Sequence, residues 1–193
     1  MKLLHLDTSA LGANSVTREL SAAIVARWQD AVPGLSVAYR DLDTNPLPHL
    51  TGDVLTGVNA EAKAEGDATM DQFLASDVIV IGAPMYNFGI PSTLKAWIDR
   101  IAVAGKTFRY TEKGPEGLAT GKRAIVASGR GGVYGDANPA DFQEAYLRQV
   151  LGFLGVTDVE FVRAEGVAYS PQHRTDAMTA AHAAIPVPLA EAA

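Results

Sequence analysis

The chain has 193 residues and a net charge of −6, with a mass of 20.3 kDa and a pI near 5.1. With 48% hydrophobic and 20% charged residues it is globular in composition, long enough to bury a core, and read as one domain spanning residues 1–193. The acidic balance argues against a nucleic-acid partner, and the absence of cysteine excludes disulfides, Cys-ligated zinc and thiol redox chemistry, so any redox function must come from a bound cofactor.

Leu3 to Asp7 reads as a first strand. No basic leader with a cleavage site precedes it, and no apolar run reaches the ~20 residues of a membrane helix, so a cytoplasmic protein without a membrane partner is expected. Ser15 to Val32 carries a helical stripe of Leu20, Ile24, Val25 and Trp28 that Pro33-Gly34 ends. Leu35 to Tyr39 is a second strand, Thr44 to Asn59 a connection, and residues 60–76 a helix. Asp77 to Ala83 is the most apolar strand and is placed centrally, since strands covered on both faces lose their alternation. Ser92 to Gly105 is a helix with Pro91 beside its start and Gly105 closing it. Lys106 to Gly121 is too polar for a core element and reads as a projecting hairpin or loop. Lys122 to Ser128 is a fourth strand, Asp141 to Leu154 a helix, Asp158 to Ala164 a fifth strand, and Thr175 to Ala184 lies in a closing helix.

Five strands alternating with helices imply an α/β fold with a parallel sheet covered on both faces. Such sheets bind ligands beyond the carboxyl ends of their strands, where the strand order reverses. Three groups of residues fall there. After the first strand come Ser9 and Ser15-Val16-Thr17, hydroxyls around a helix N-terminus that suit a phosphate, although Ser15 also serves as a plain N-cap. After the third comes Met85-Tyr86-Asn87-Phe88, bulky residues in a turn where Gly, Asn, Asp or Ser is usual. After the fourth comes Gly129-Arg130-Gly131-Gly132, which lets backbone approach a planar ring. Glu165 and Gly166 follow the fifth. There is no G-x-G-x-x-G and no P-loop, so a mononucleotide fits better than a dinucleotide, and the three groups together suit the phosphate, ribityl chain and ring of FMN.

The segments "APMYNFGIPSTLKAWID", "GKTFRYTEKGPEGLATGKRAIV", "LGFLGVTDVEFVRAEGVAY" and "DTSALGANSVTREL" resemble the FMN-dependent NADH azoreductases, also described as NADH:quinone oxidoreductases. The resemblance implies a flavodoxin-like three-layer sandwich of strand order 2-1-3-4-5. It also implies a homodimer with FMN at the subunit interface, and ping-pong electron transfer from NADH to quinones or azo compounds. It puts the FMN phosphate on Ser9 and Ser15 to Thr17, the ring and ribityl chain on Met85 to Phe88, and the pyrimidine edge on Gly129 to Gly132. A flat slot for NADH and acceptor has Phe88 as its wall and Tyr134, after the Gly-rich loop, as a further lining residue. The resemblance implies that Tyr110 and Phe153 complete it from the other subunit, although Phe153, in an apolar helix end, also reads as a core residue. Two departures are visible: Gly129 where the family commonly has Ser, and Thr17 where it often has Ser.

On this reading the Gly131 and Gly132 amides stabilise negative charge near N1 and the C2 carbonyl, and Asn87 lies along the ring edge. No protein nucleophile, metal or obligatory general base is expected, because the hydride chemistry belongs to the cofactor. His5 reads as a hydrogen-bonded core residue, Trp28 and Trp97 as core or interface, and Asp41 and Asp43 as caps or turn residues. His49, His173 and His182 lack metal-ligand spacing. A flavodoxin-type electron carrier and a non-catalytic FMN-binding module are the alternative functions. A phosphorylated receiver domain lacks its aspartate, since Pro84-Met85 stands where it belongs.

Overall fold

The structure is a computed structural model that describes residues 1–186 and 188. The chain begins with β1 (Lys2–Asp7), whose last five residues are buried. After a 3-10 turn at Gly12–Asn14, α1 (Val16–Ala31) starts at Ser15, whose hydroxyl accepts from the Arg18 amide. That satisfies one of the donors a helix start leaves open. The edge strand β2 (Ser36–Asp41) leads through a short α2 (Gly52–Leu55) to α3 (Ala60–Ala75), capped by Asn59. Next, β3 (Val78–Pro84) is buried at every position, and α4 (Ser92–Ile101) packs Leu94, Trp97, Ile98 and Ile101 inward. A two-stranded antiparallel hairpin follows, β4 (Phe108–Thr111) with β5 (Gly114–Gly117). The chain ends with β6 (Arg123–Gly129), α5 (Phe142–Leu154), β7 (Asp158–Ala164) and α6 (Pro171–Ala183).

The main sheet has the order β2-β1-β3-β6-β7, and all its pairings are parallel. Counted within the sheet, that is the expected order 2-1-3-4-5. One face packs Ile79, Ile81 and Val126 against Phe73, Trp97, Leu147 and Leu151 of α3, α4 and α5. The other packs Val78, Val80 and Ile125 against Leu20, Ile24, Trp28 and Met178 of α1 and α6. The strand order reverses between β1 and β3, and the two chain directions leave a crevice at their carboxyl ends.

Several boundaries differ from expectation, among them the end of β2, which runs two residues past Tyr39 to Asp41. Helix α4 stops at Ile101 rather than running to Gly105, because the buried Thr107 hydroxyl donates to the Ile101 carbonyl at 2.6 Å and accepts from the Val103 amide. Gly105 instead takes φ 78° in the turn that feeds the hairpin. Helix α6 begins four residues early, with Ser170 as cap and Pro171 in the first turn. The Thr44 to Asn59 connection holds the one-turn α2.

The hairpin is rooted rather than wholly free. A Cβ on Gly117 would lie 2.2 Å from the Gly155 amide nitrogen, so two glycine backbones meet where the hairpin base crosses the end of α5. Phe108 is buried there against Phe153, with ring centroids 4.4 Å apart. Only the tip projects.

Candidate functional site

Ser9, Ser15 and Thr17 are all buried around the start of α1. The Ser15 and Thr17 hydroxyls are 3.1 Å apart, and the Ser9 hydroxyl lies 3.3 Å from the Tyr86 hydroxyl. Tyr86 in turn accepts from the Ala10 amide at 3.2 Å, so the β1 and β3 loops are joined at this point. The amides of Val16 and Thr17 have no acceptor among the described residues. Unpaired N–H groups at the positive end of a 16-residue helix form an anion seat.

The β3 loop is a tight reversal in which Tyr86 and Gly89 exchange backbone hydrogen bonds of 3.0 Å. Its central residues, Asn87 and Phe88, both have positive φ, 50° and 70°. Glycine would hold that geometry without strain, and a phenylalanine there costs on the order of 1 kcal/mol or more. The turn keeps Phe88 on the surface at 53% exposure, while its carbonyl accepts from the Phe142 amide and ties it to α5. The strained turn thus displays an aromatic ring at the carboxyl end of β3.

The β6 loop is braced from below. The Arg130 side chain is fully buried and contacts Asp141, Glu144 and Glu165 at 2.8, 2.6 and 3.0 Å, with Ser128 accepting from its Nε. Its backbone is also used, donating to Ala164 and accepting from Val167. Arg130 therefore shapes the loop, and its side chain is not turned to the crevice. Gly131 and Gly132 differ: their carbonyls are engaged by Ala168 and Gly166, but their amides have no acceptor among the described residues. Those two donors are what the loop offers a ligand.

Gly129 and Thr17 meet directly. A Cβ on Gly129 would fall 2.8 Å from the Thr17 methyl and 3.4 Å from Val16 Cγ1. The two departures from the family pattern are thus one local arrangement, with the threonine methyl filling the volume a residue-129 side chain would need.

A cleft of about 730 Å³ runs past Met85, Tyr86, Asn87 and Gly89 and is completed by His49, Ile90, Ser92 and Lys95. His49, Ser92 and Lys95 carry no motif in one dimension. His49 comes from the connection after β2, 36 residues before Met85, so only the fold places it there. A comparable cavity of about 770 Å³ opens at the opposite, amino-terminal end of the strands, beside Trp28, Lys122 and Arg123. Its cations are already engaged, Lys122 by the carbonyls of Leu74 and Ser76 and Arg123 by Asp158 and Glu160.

The expected slot residues are not gathered in one chain. Phe88 abuts the first residue of α5, whereas Phe153 lies eleven residues on, about 16 Å along the helix axis. Tyr110 stacks edge-on against Phe108 beside Phe153 and is 75% exposed. Tyr134 lies over the Arg130 guanidinium at 5.6 Å, near the β6 loop. Half of the aromatic set therefore sits at the crevice and half at the far end of α5. His5, Trp28 and Trp97 are core residues as expected, and Asp41 makes the expected turn bond by accepting from the Asp43 amide.

A family model described as the flavodoxin-like fold matches residues 1–186. A relative from Stenotrophomonas maltophilia named FMN-dependent NADH:quinone oxidoreductase is 64% identical over 186 residues, 96% of this chain and 95% of its own. The chain belongs to this family. Among solved structures, the azoreductase from Bacillus anthracis str. Sterne superposes with a TM-score of 0.87 at 32% identity, covering 95% of both chains. The FMN-dependent NADH-azoreductase from Bacillus anthracis str. Ames Ancestor, in complex with FMN, gives 0.85 at 25% identity, covering 95% of this chain and 97% of its own.

Proposed function

We propose that the chain is an FMN-dependent NADH:quinone oxidoreductase that also reduces aromatic azo compounds, working in the cytoplasm as one domain per subunit of a homodimer. The observation that carries this is the convergence of three loops at the β1/β3 reversal: unpaired amides on α1, unpaired amides at Gly131 and Gly132, and a strained turn that displays Phe88. FMN suits that set, since a phosphate needs the first, the electron-rich ring edge needs the second, and a planar ring needs the third. When bound, FMN supplies the acceptor for hydride and the store for two electrons.

The residues then have separate tasks. Ser9, Ser15, Val16 and Thr17 hold the phosphate with hydroxyls and amides, and no cation is needed. Met85 to Phe88 support the ring, and Asn87 hydrogen-bonds along its edge. Gly131 and Gly132 place two fixed donors where negative charge develops, at no reorganisation cost. A planar ring held against the exposed Phe88 would keep one face free, on which NADH and then the acceptor would lie in turn. That sharing is the basis for a ping-pong order and for tolerance of quinones and azo compounds alike. Tyr110 and Phe153 of a second copy close the slot, because within one chain α5 holds Phe153 at the opposite end from Phe88. The exposure of Phe88 favours a catalyst over an electron carrier, whose flavin would be shielded by its own chain.

Initial rates with NADH and a soluble benzoquinone, in the presence of FMN, test the proposal. Parallel double-reciprocal lines are expected. Intersecting lines contradict the shared slot, and NADH oxidation no faster than with free FMN contradicts the enzyme.

A further inference from the structure

Arg18, the third residue of α1, has no part in the reading above, yet it touches both halves of the anion seat. Its backbone amide donates to the Ser15 hydroxyl at 3.2 Å. Its guanidinium donates twice to the Ser9 carbonyl, from Nη2 at 2.9 Å and from Nε at 3.3 Å. The same guanidinium forms a bidentate pair with Asp41 at the end of β2, at 2.7 and 2.8 Å. The arginine fork is rigid and planar, so fixing its outer edge on Asp41 fixes the direction in which its inner edge meets Ser9.

Its charge is not available to a ligand. Asp41 takes it up directly, with Asp7 at 3.8 Å and Asp43 at 3.9 Å as further anions. The Arg18 and Asp41 side chains are only 16% and 14% exposed, and Asp41 is itself held by accepting from the amides of Asp43 and Thr44. A binder of phosphate by charge would present its cation toward the seat, whereas this one is neutralised on its far side. What Arg18 controls is the Ser9–Ala10 peptide: with the carbonyl pinned, the Ala10 amide reaches Tyr86 and the Ser9 hydroxyl lies within 3.3 Å of the same oxygen.

We propose that Arg18 and Asp41 form a positioning clamp, braced on the edge strand, that sets Ser9 for the phosphate of FMN and thereby lets the site tell FMN from riboflavin. The clamp rests on the reading of Ser9 and Ser15 to Thr17 as the phosphate seat. It acts through Ser9 and touches no cofactor. Because β2 is an edge strand, the phosphate end of the site depends on an element that contributes no residue to it.

Flavin fluorescence titrations of the flavin-free full chain with FMN and with riboflavin separate the possibilities. The unaltered protein is expected to bind FMN at least about tenfold more tightly than riboflavin, the difference being the phosphate contacts. Arg18→Met should lose most of that ratio, weakening FMN about tenfold while riboflavin changes less than about twofold. Arg18→Lys should recover little, since an ammonium cannot span Asp41 and Ser9 together. Asp41→Asn keeps an oxygen for the Asp43 and Thr44 amides and should show the same selective loss, so it serves if Arg18→Met is not recovered folded. Equal weakening of both flavins, or none, overturns the clamp while leaving the seat in place. An unaltered protein that binds both flavins equally overturns the seat and the clamp together.

Discussion

The two ends of the site are built by opposite means. The proposed phosphate seat at the start of α1 is buried, polar and complete: Ser9, Ser15 and Thr17 are held by Tyr86, Arg18 and one another, and every part lies in one chain. The aromatic wall is exposed, apolar and divided, with Phe88 at one end of α5 and Tyr110 with Phe153 at the other. The difference follows what each end must do. A permanently held anion repays rigid donors fixed in place in advance and left unpaired, while a slot that admits two different flat molecules in turn must stay open to solvent. The seat is therefore sensitive to polar and charge changes, and the wall to changes of backbone support.

The largest effect should come at the root of the wall. Gly117→Ala puts a methyl group into the Gly155 backbone, which has no side chain to move aside, and should cost about 3 kcal/mol in denaturant unfolding. The hairpin should loosen while the seat keeps its flavin. A stability change under ~0.5 kcal/mol would mean the two backbones can part freely.

Acid attacks the other end. The Arg18 guanidinium holds the Asp41 carboxyl down at about 2, below its ordinary 3.8. A depressed folded-state value means the stabilisation is full above the unfolded value and is lost as pH falls from about 4 toward 2. The loss should be on the order of 2 kcal/mol and should be absent in Asp41→Asn, as read from thermal unfolding across that pH window.

Gly129→Ser should cost about 1–2 kcal/mol through its contact with the Thr17 methyl, and adding Thr17→Ser should return most of it. Additive losses in the double variant would mean the two positions are not coupled. The smallest change in stability, within ~0.5 kcal/mol, is expected for Tyr110→Ala, because the ring is mostly in solvent. That substitution should nonetheless raise KM for quinone without altering FMN affinity; an unchanged KM would remove Tyr110 from the slot.

Much of the fold was legible because its strands are short apolar runs between helical stripes, as in "DVIVIG" before "LKAWIDRI". The boundaries that were missed depend on partners distant in space or on a local competition. Thr107 ends α4 by reaching back to Ile101, which helical periodicity does not reveal. Ser170-Pro171 did carry a readable start signal for α6. The three loops of the site were legible from their position after strands and from their odd composition. Arg18 was not, because a cation on a helix that also bears Glu19 reads as solvated surface until β2 brings Asp41 beside it. Arg130 was legible as part of a loop but not as its brace, since Asp141, Glu144 and Glu165 come from two other segments.

The most direct test of the account is an anaerobic visible spectrum of the purified protein with FMN, recorded before and after a slight excess of NADH and again after a quinone. The account predicts that the bound flavin bleaches within seconds and that the quinone restores the oxidised spectrum. Flavin that binds but stays oxidised in NADH, or protein that binds no flavin, would contradict it.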